Sequence, residues 1–196
     1  MLHVKEVSLE GTVVRLVPVD RSHVDGIWEA GRYEEIWRYT SDYIQTKEDA
    51  TNYVERLLTL REAGKDLPFT IILKEQNKII GNTRFLNISA VDQGLEIGGT
   101  WLTPSVWKTA VNTECKWLLL RHCFEQLGCM RVQIKTDARN ENSQRAIARI
   151  GAQKEGVLRK HMHVRDGYIR DTVMFSIIDE EWPRVDQKLR EMLGRL

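Results

Sequence analysis

Residues 96–113 read Glu96-Ile97-Gly98-Gly99-Thr100-Trp101-Leu102-Thr103-Pro104-Ser105-Val106-Trp107-Lys108-Thr109-Ala110-Val111-Asn112-Thr113. The stretch opens as a strand, breaks at Pro104 and passes into a helix beginning near Asn112 or Thr113. A strand that feeds a helix N-terminus leaves backbone N–H groups unpaired and aimed at one point. Such a terminus takes a phosphate readily, and Lys108 adds a cation. Many turns of this kind bind nothing, so taken alone the stretch leaves both readings open.

Downstream, Thr113 to Leu127 carries Leu118, Leu119, Cys123 and Phe124 on an apolar helical face, and Gly128 stops it. Met130 to Thr136 alternates as a strand, with Val132 and Ile134 inward. Asn140 caps a helix running to Ile150, closed by Gly151. Two strands, Gln153 to Val164 and Tyr168 to Ile178, flank an Asp166-Gly167 hairpin turn. A last helix covers Val185 to Leu193. Upstream, Thr12 to Pro18 is a strand, and Asp20 and Ser22 cap a helix carrying Val24, Ile27 and Trp28. Thr46 opens a second helix with Ala50, Tyr53, Val54, Leu57 and Leu58 at helical spacing. Phe69 to Lys74, Ile79 to Ile88 and Gly94 to Leu102 form a meander of three strands. The order is β, α, α, three strands, α, β, α, two strands, α, in one mixed α/β domain spanning 1–196.

Composition removes several function classes. The chain has 196 residues with 29 Lys and Arg against 28 Asp and Glu, a net charge of +1. That balance excludes a broadly basic nucleic-acid binder or a polybasic membrane-surface protein. No apolar run approaches the roughly 20 residues of a membrane helix, and the N-terminus has no signal-peptide pattern. Three cysteines without a CxxC pair point to buried reduced thiols and a cytoplasmic location rather than a disulfide framework or zinc site. His161 and His163 share a strand face but lack a third ligand nearby, so no metal is expected.

The ordered set Glu96-Ile97-Gly98, Trp101-Leu102-Thr103-Pro104, Trp107, Thr113-Glu114, Phe124, Leu127-Gly128, Arg131, Thr136, Asn140-x-x-Ser143, Gly151-Ala152, Glu155-Gly156-Val157-Leu158-Arg159, Gly167, Asp171 and Glu181-Trp182 resembles the GNAT N-acetyltransferase superfamily. Within it, the branch of ribosomal-protein N-terminal acetyltransferases is most similar. The resemblance runs from about Gly11 to Trp182. It implies a mostly antiparallel twisted sheet of about seven strands, splayed between the fourth (Gly94–Leu102) and fifth (Met130–Thr136), with helices on both faces. It implies transfer of an acetyl group from acetyl-CoA to a primary amine, a protein N-terminus or a small molecule, by direct attack in a ternary complex. A CoA-binding module without catalysis, or an enzyme using another acyl-CoA, are the rival readings. A monomer or homodimer is implied, with no nucleic acid, membrane or metal partner.

By the same resemblance, the pantetheine amides pair with the backbone of Gly99, Thr100, Trp101, Leu102 and Thr103. The pyrophosphate sits on the N–H groups of Lys108, Thr109, Ala110, Val111, Asn112 and Thr113, beside Trp107. The family's phosphate loop reads Q/R-x-x-G-x-G/A, and here Trp107, Ala110 and Asn112 stand at its marked positions. Negative φ at Ala110 and Asn112 would still let the N–H groups reach a phosphate. Asn140 and Ser143 face the cofactor in this family, Asn140 toward the pantetheine and Ser143 as general acid near the sulfur. Read from the residues alone, Asn140 is equally an N-cap.

Acyl transfer needs a neutral amine, and amines are largely protonated near pH 7. A carboxylate that takes that proton is therefore expected. Glu96 is the first choice, with a structural ion pair as its other reading; Glu34, Glu35 and Asp42 follow. Strand alternation puts Glu96, Gly98 and Thr100 on one face and Leu95, Ile97 and Trp101 on the other. Tyr33, Trp37, Tyr39 and Tyr43 form the expected wall on the acceptor side, or else pack as core.

Overall fold

The computed structural model describes residues 2–194; Met1, Arg195 and Leu196 of the expected 1–196 domain lie outside the described residues. The first strand to pair is short. β1 (Leu9–Glu10) joins β2 (Val14–Pro18) with Leu9 opposite Leu16. Two residues carry no readable period, so this strand adds one to the seven expected. Asp20 accepts from the Ser22 N–H and starts a short turn into α1 (Val24–Gly31). Thr46 and Asp49 cap each other's backbone at the start of α2 (Lys47–Glu62), a reciprocal arrangement that satisfies two N–H groups at once.

β3 (Leu67–Leu73), β4 (Lys78–Ser89) and β5 (Gly94–Leu102) follow as an antiparallel meander. α3 (Ala110–Arg121) runs into a wider turn through His122–Gln126, and Gly128 leaves it with φ 67°. Then come β6 (Arg131–Asp137), α4 (Glu141–Arg149), β7 (Gln153–His163), β8 (Ile169–Ile178) and α5 (Trp182–Met192). The β7–β8 turn has φ 62° at Asp166 and φ 72° at Gly167. Left-handed conformations at both central residues match the right-handed twist of a two-stranded hairpin.

Among the described residues the eight strands form one sheet in the order β1-β2-β3-β4-β5-β6-β8-β7. All pairs are antiparallel except β5–β6. One core lies between the sheet and α3, α4 and α5, around Phe85, Ile97, Leu118, Val132 and Phe175. A second lies under α1 and α2, around Ile27, Trp37, Tyr53, Leu57 and Trp101. Helices therefore cover both faces, as apolar strands on a central sheet require. Cys115, Cys123 and Cys129 are free and buried. No helix of the described residues is long and apolar enough to cross a membrane.

Candidate active site

The site is built where β5 and β6 part. Their parallel pairing spans only Gly94 opposite Arg131, Leu95 opposite Val132 and Glu96 opposite Gln133. Beyond Glu96, β5 stays bonded to β4 as far as Leu102, and β6 stays bonded to β8 as far as Asp137. The β6-facing backbone of Ile97–Leu102 is thus without a strand partner. An open strand edge presents a row of N–H and C=O groups that an extended chain with amides can pair.

A bulge shapes that edge. The β4–β5 register shifts between Asn82 and Arg84, and Gly99 has φ 58°. A Cβ on Gly99 would stand 2.7 Å from Arg84 Nε. The extra residue corrects the expected alternation. Leu102 joins Leu95 and Ile97 in the core under α3, whereas Trp101 enters the opposite core beside Trp37 and Tyr53. Thr100 goes with the α3 face, where its Oγ1 accepts from Lys116 Nζ at 2.9 Å and meets Thr83 Oγ1 at 2.7 Å. A bulge reverses which face later residues take.

The start of α3 also differs from expectation. The helix begins at Ala110, capped by Thr109, whose Oγ1 accepts from Val111 N–H and donates to the Val106 carbonyl. Ala110 and Asn112 are helical and have negative φ; the left-handed residue of the turn is Lys108, at φ 61°. The chain reversal that a glycine usually provides is made two residues earlier, so Ala110 and Asn112 are no obstacle to first-turn N–H groups pointing outward. The segment Trp107–Ala110 is exposed, and the Trp107 indole donates to the Leu102 carbonyl at 2.8 Å. Arg149 of α4 donates to Thr113 Oγ1 at 3.0 Å, so a second cation stands by the first turn of α3. Asn140 Oδ1 accepts from Ser143 N–H at 3.0 Å, confirming the cap, and Ser143 is half-buried.

On the opposite face lies a polar row. Glu96 is 1% exposed, and its Oε2 accepts from Asn87 Nδ2 at 2.8 Å, Gln133 Nε2 at 3.1 Å and Lys135 Nζ at 3.1 Å. Glu96 Oε1 lies 2.9 Å from where a Gly98 Cβ would stand, so only glycine leaves that oxygen uncovered. Asp137, also buried, is held by the guanidinium and backbone N–H of Arg139. Burial works to raise the Asp137 pKa, but Arg139 outweighs it and holds the carboxyl below the usual carboxylate range.

The aromatic segment is only partly a wall. Trp37 is 1% exposed, donates to the Gly31 carbonyl and packs on Trp101, so it is core and not a lining residue. Together with Ile44 of the same segment, its ring fills the core under α1 and α2. Tyr33, Tyr39 and Tyr43 stay at the surface with guanidinium groups over their rings: Arg32 on Tyr33, Arg38 and Arg139 on Tyr39, and Arg165 on Tyr43. Arg139 also lies 3.5 Å from the Tyr168 ring centroid. An arch of stacked Tyr and Arg therefore joins the α1–α2 connection to the β7–β8 hairpin.

Reading the sequence missed Lys116, Arg139 and Arg149. Lys116 sits in a helix whose residues 113–120 are all buried, and an all-round apolar helix offers no stripe to flag a cation as inward. Arg139 and Arg149 matter through partners on other elements, which spacing does not show.

A family model described as acetyltransferase (GNAT) domain matches residues 14–153, and the chain belongs to this family of N-acetyltransferases. The curated Bacillus subtilis protein "Uncharacterized N-acetyltransferase YoaA" is 26% identical over 74% of this chain and 81% of its own. A putative acetyltransferase from T. thermophilus is 36% identical, with a TM-score of 0.88 over 98% of this chain and all of that one. Mycobacterium smegmatis RimJ, solved in complex with CoA-disulfide, shares the fold at 22% identity and a TM-score of 0.79, over 97% and 94% of the two chains. GNAT enzymes use acetyl-CoA as the acetyl donor.

Proposed function

We propose that acetyl-CoA lies in the gap between β5 and β6 and that a primary amine reaches it from the polar face of β6 and β8. The observation that carries this is the early end of the β5–β6 ladder at Glu96, with an open helix N-terminus at its far side. The donor fits these residues. Gly99, Thr100, Trp101, Leu102 and Thr103 offer the unpaired edge for its amides. Lys108, Thr109, Ala110, Val111, Asn112 and Thr113 offer helix-end N–H groups for its pyrophosphate, with Lys108 and Arg149 as counter-charges and Trp107 beside them. Asn140 holds the start of α4 so that Ser143 faces the same gap. When bound, acetyl-CoA supplies a thioester whose thiol is a good leaving group.

In this reading Glu96 takes the proton of the incoming ammonium through Oε1. Asn87, Gln133 and Lys135 fix Oε2, which leaves Oε1 as the accepting oxygen. Ser143 donates from its hydroxyl toward the sulfur. Tyr33, Tyr39 and Tyr43, with their stacked arginines, border the acceptor; Trp37 supports them from the core. The acceptor class is a primary amine of a peptide N-terminus or small molecule.

Calorimetric titration with acetyl-CoA, paired with colorimetric release of free CoA thiol over an amine and peptide panel, tests the assignment. Heat of binding and thiol release are expected. Glu96→Gln keeps the binding heat and loses turnover about a hundredfold, and Ser143→Ala loses less. No heat and no thermal stabilisation at millimolar acetyl-CoA would overturn the placement of the donor.

A further inference from the structure

Lys116 is 6% exposed, and among the described residues no carboxylate lies within ion-pair distance of it. Its single hydrogen bond goes to a neutral oxygen, Thr100 Oγ1. An ammonium has three N–H donors, so two are left over in the interior, and a buried charge without a counter-charge is costly. Burial pulls the Lys116 pKa down to about 8. The titratable groups packed around it do not relieve the cost. Cys115, next to it on α3, is a thiol pushed up to about 12 by burial and is uncharged at neutral pH. Glu114 is turned away to the backbone N–H groups of Thr12, Val13 and Val14. From β5 the Thr100 hydroxyl meets it, and that hydroxyl in turn meets Thr83 Oγ1 of β4.

The position matters as much as the charge. Thr100 follows the bulged Gly99 and belongs to the unpaired segment of β5, so Lys116 reaches the floor of the gap from below. The Thr100 hydroxyl, while accepting from Lys116, has one hydrogen to give, to Thr83 or to a group in the gap. Resting on the donor placement above, we propose that Lys116 is a positioning residue that, through Thr100, holds the sulfur of CoA as a thiolate in the gap. In the transfer, the amine nitrogen forms the C–N bond to the acetyl carbon, the C–S bond breaks and its electron pair stays on sulfur. Of the two protons the ammonium loses on the way to the amide, the first passes to Glu96 before attack and the second to bulk water as the C–S bond breaks. The Lys116 charge offsets the negative charge that arrives on sulfur, which is the role of a fixed charge placed where charge develops.

The test compares the binding of CoA and desulfo-CoA from about pH 6.5 to about pH 9.5. Below about pH 8 Lys116 is already charged, and forming the bound thiolate releases a proton, so the preference for CoA rises with pH. Above the free thiol's pKa, near 8.5, the bound pair must take a proton up, so the preference falls. A maximum between these values, at about tenfold or more in favour of CoA, is expected for the native chain. Lys116→Met removes the maximum while thermal stability holds or rises, since an unpaired buried cation gives way to an apolar chain of similar length. Lys116→Arg restores part of the preference. Thr100→Val, which keeps the shape and removes the hydroxyl, also removes the maximum and covers the case of a Met variant that does not fold. A maximum that survives in Lys116→Met or Thr100→Val, or none in the native chain, overturns the proposal. Failure of both ligands to bind overturns the donor placement itself.

Discussion

Glu114 shows what a fully used buried carboxylate does in this molecule. It lies on α3, is 0% exposed, and accepts from the backbone N–H groups of Thr12, Val13 and Val14 at 2.9, 2.7 and 2.7 Å. Those N–H groups belong to the turn between β1 and β2 and to Val14, the first residue of β2. Hydrogen bonds to a charged acceptor are worth about 1.5–3 kcal/mol each, and orphaned donors cost about as much again. Glu114→Ala is therefore expected to lower unfolding free energy by about 3 kcal/mol or more, read as a drop in the urea midpoint. Glu114→Gln should lose less, because one amide oxygen still accepts. An unchanged midpoint for the Ala variant would mean that the turn finds other acceptors. Gly11 belongs to the same device: a side chain there would run into the Glu114 carboxylate.

β5 is the element that makes the site, and its bulge is the feature a variant can address. Gly99→Ala asks an alanine to hold φ 58° and places its Cβ 2.7 Å from Arg84 Nε. The left-handed conformation costs about 1–2 kcal/mol for a residue with a Cβ, and Arg84 is not free to withdraw, being paired to Asp66 at 3.0 Å. The expected result is about 2 kcal/mol lost in stability and a weaker calorimetric affinity for acetyl-CoA, since the bulge lies within the unpaired edge of Ile97–Leu102. Affinity equal to the parent would separate the bulge from the donor site. Much of this fold is legible because its signals are local. Asp166-Gly167, Thr46 with Asp49, Gly128 and Gly151 each carry their turn or cap chemistry within a few residues, and the bounds of Gly94–Leu102 follow from its own pattern. What escapes is set by distance along the chain. Simple alternation along β5 fails because the bulge depends on register against β4. The start of α3 moves to Ala110 because the left-handed residue of the turn is Lys108, two residues ahead of it. Within the site, the strand and helix-end positions are readable from Trp101 to Thr113, whereas the Lys116–Thr100 and Arg149–Thr113 bonds join elements whose approach no spacing encodes.

Across the whole molecule stability is unevenly held, and acid should reveal the order. β3, β4 and β5 are central, with helices on both faces, while β7 is an edge strand whose residues are almost all exposed. β7 is fastened by Glu155, which pairs with Arg131 of β6 and accepts from Ser176 of β8 at 2.8 Å. The Arg131 hydrogen bonds hold the Glu155 pKa down at about 2. A carboxylate lowered from about 4.3 in the unfolded chain contributes stability that is complete above that value and disappears as pH falls toward about 2. Asp137, lowered by Arg139, acts in the same sense, whereas Asp66, raised by burial, acts against it. Local opening follows the weakest fastening first. Between about pH 5 and about pH 3, amide hydrogen exchange, corrected for intrinsic rates, should show β7 losing protection while β3–β5 keep theirs. Glu155→Gln should bring the loss at neutral pH and flatten its acid dependence, because the amide cannot titrate. Equal loss across all strands, or an unaltered acid profile in Glu155→Gln, would show that this edge opens only with the whole sheet. Because Tyr168, Arg165 and the hairpin turn hang from the same pair of strands, loosening β7 also frees one side of the Tyr–Arg arch proposed to border the acceptor, so acetyl-CoA affinity should outlast acceptor saturation as pH falls.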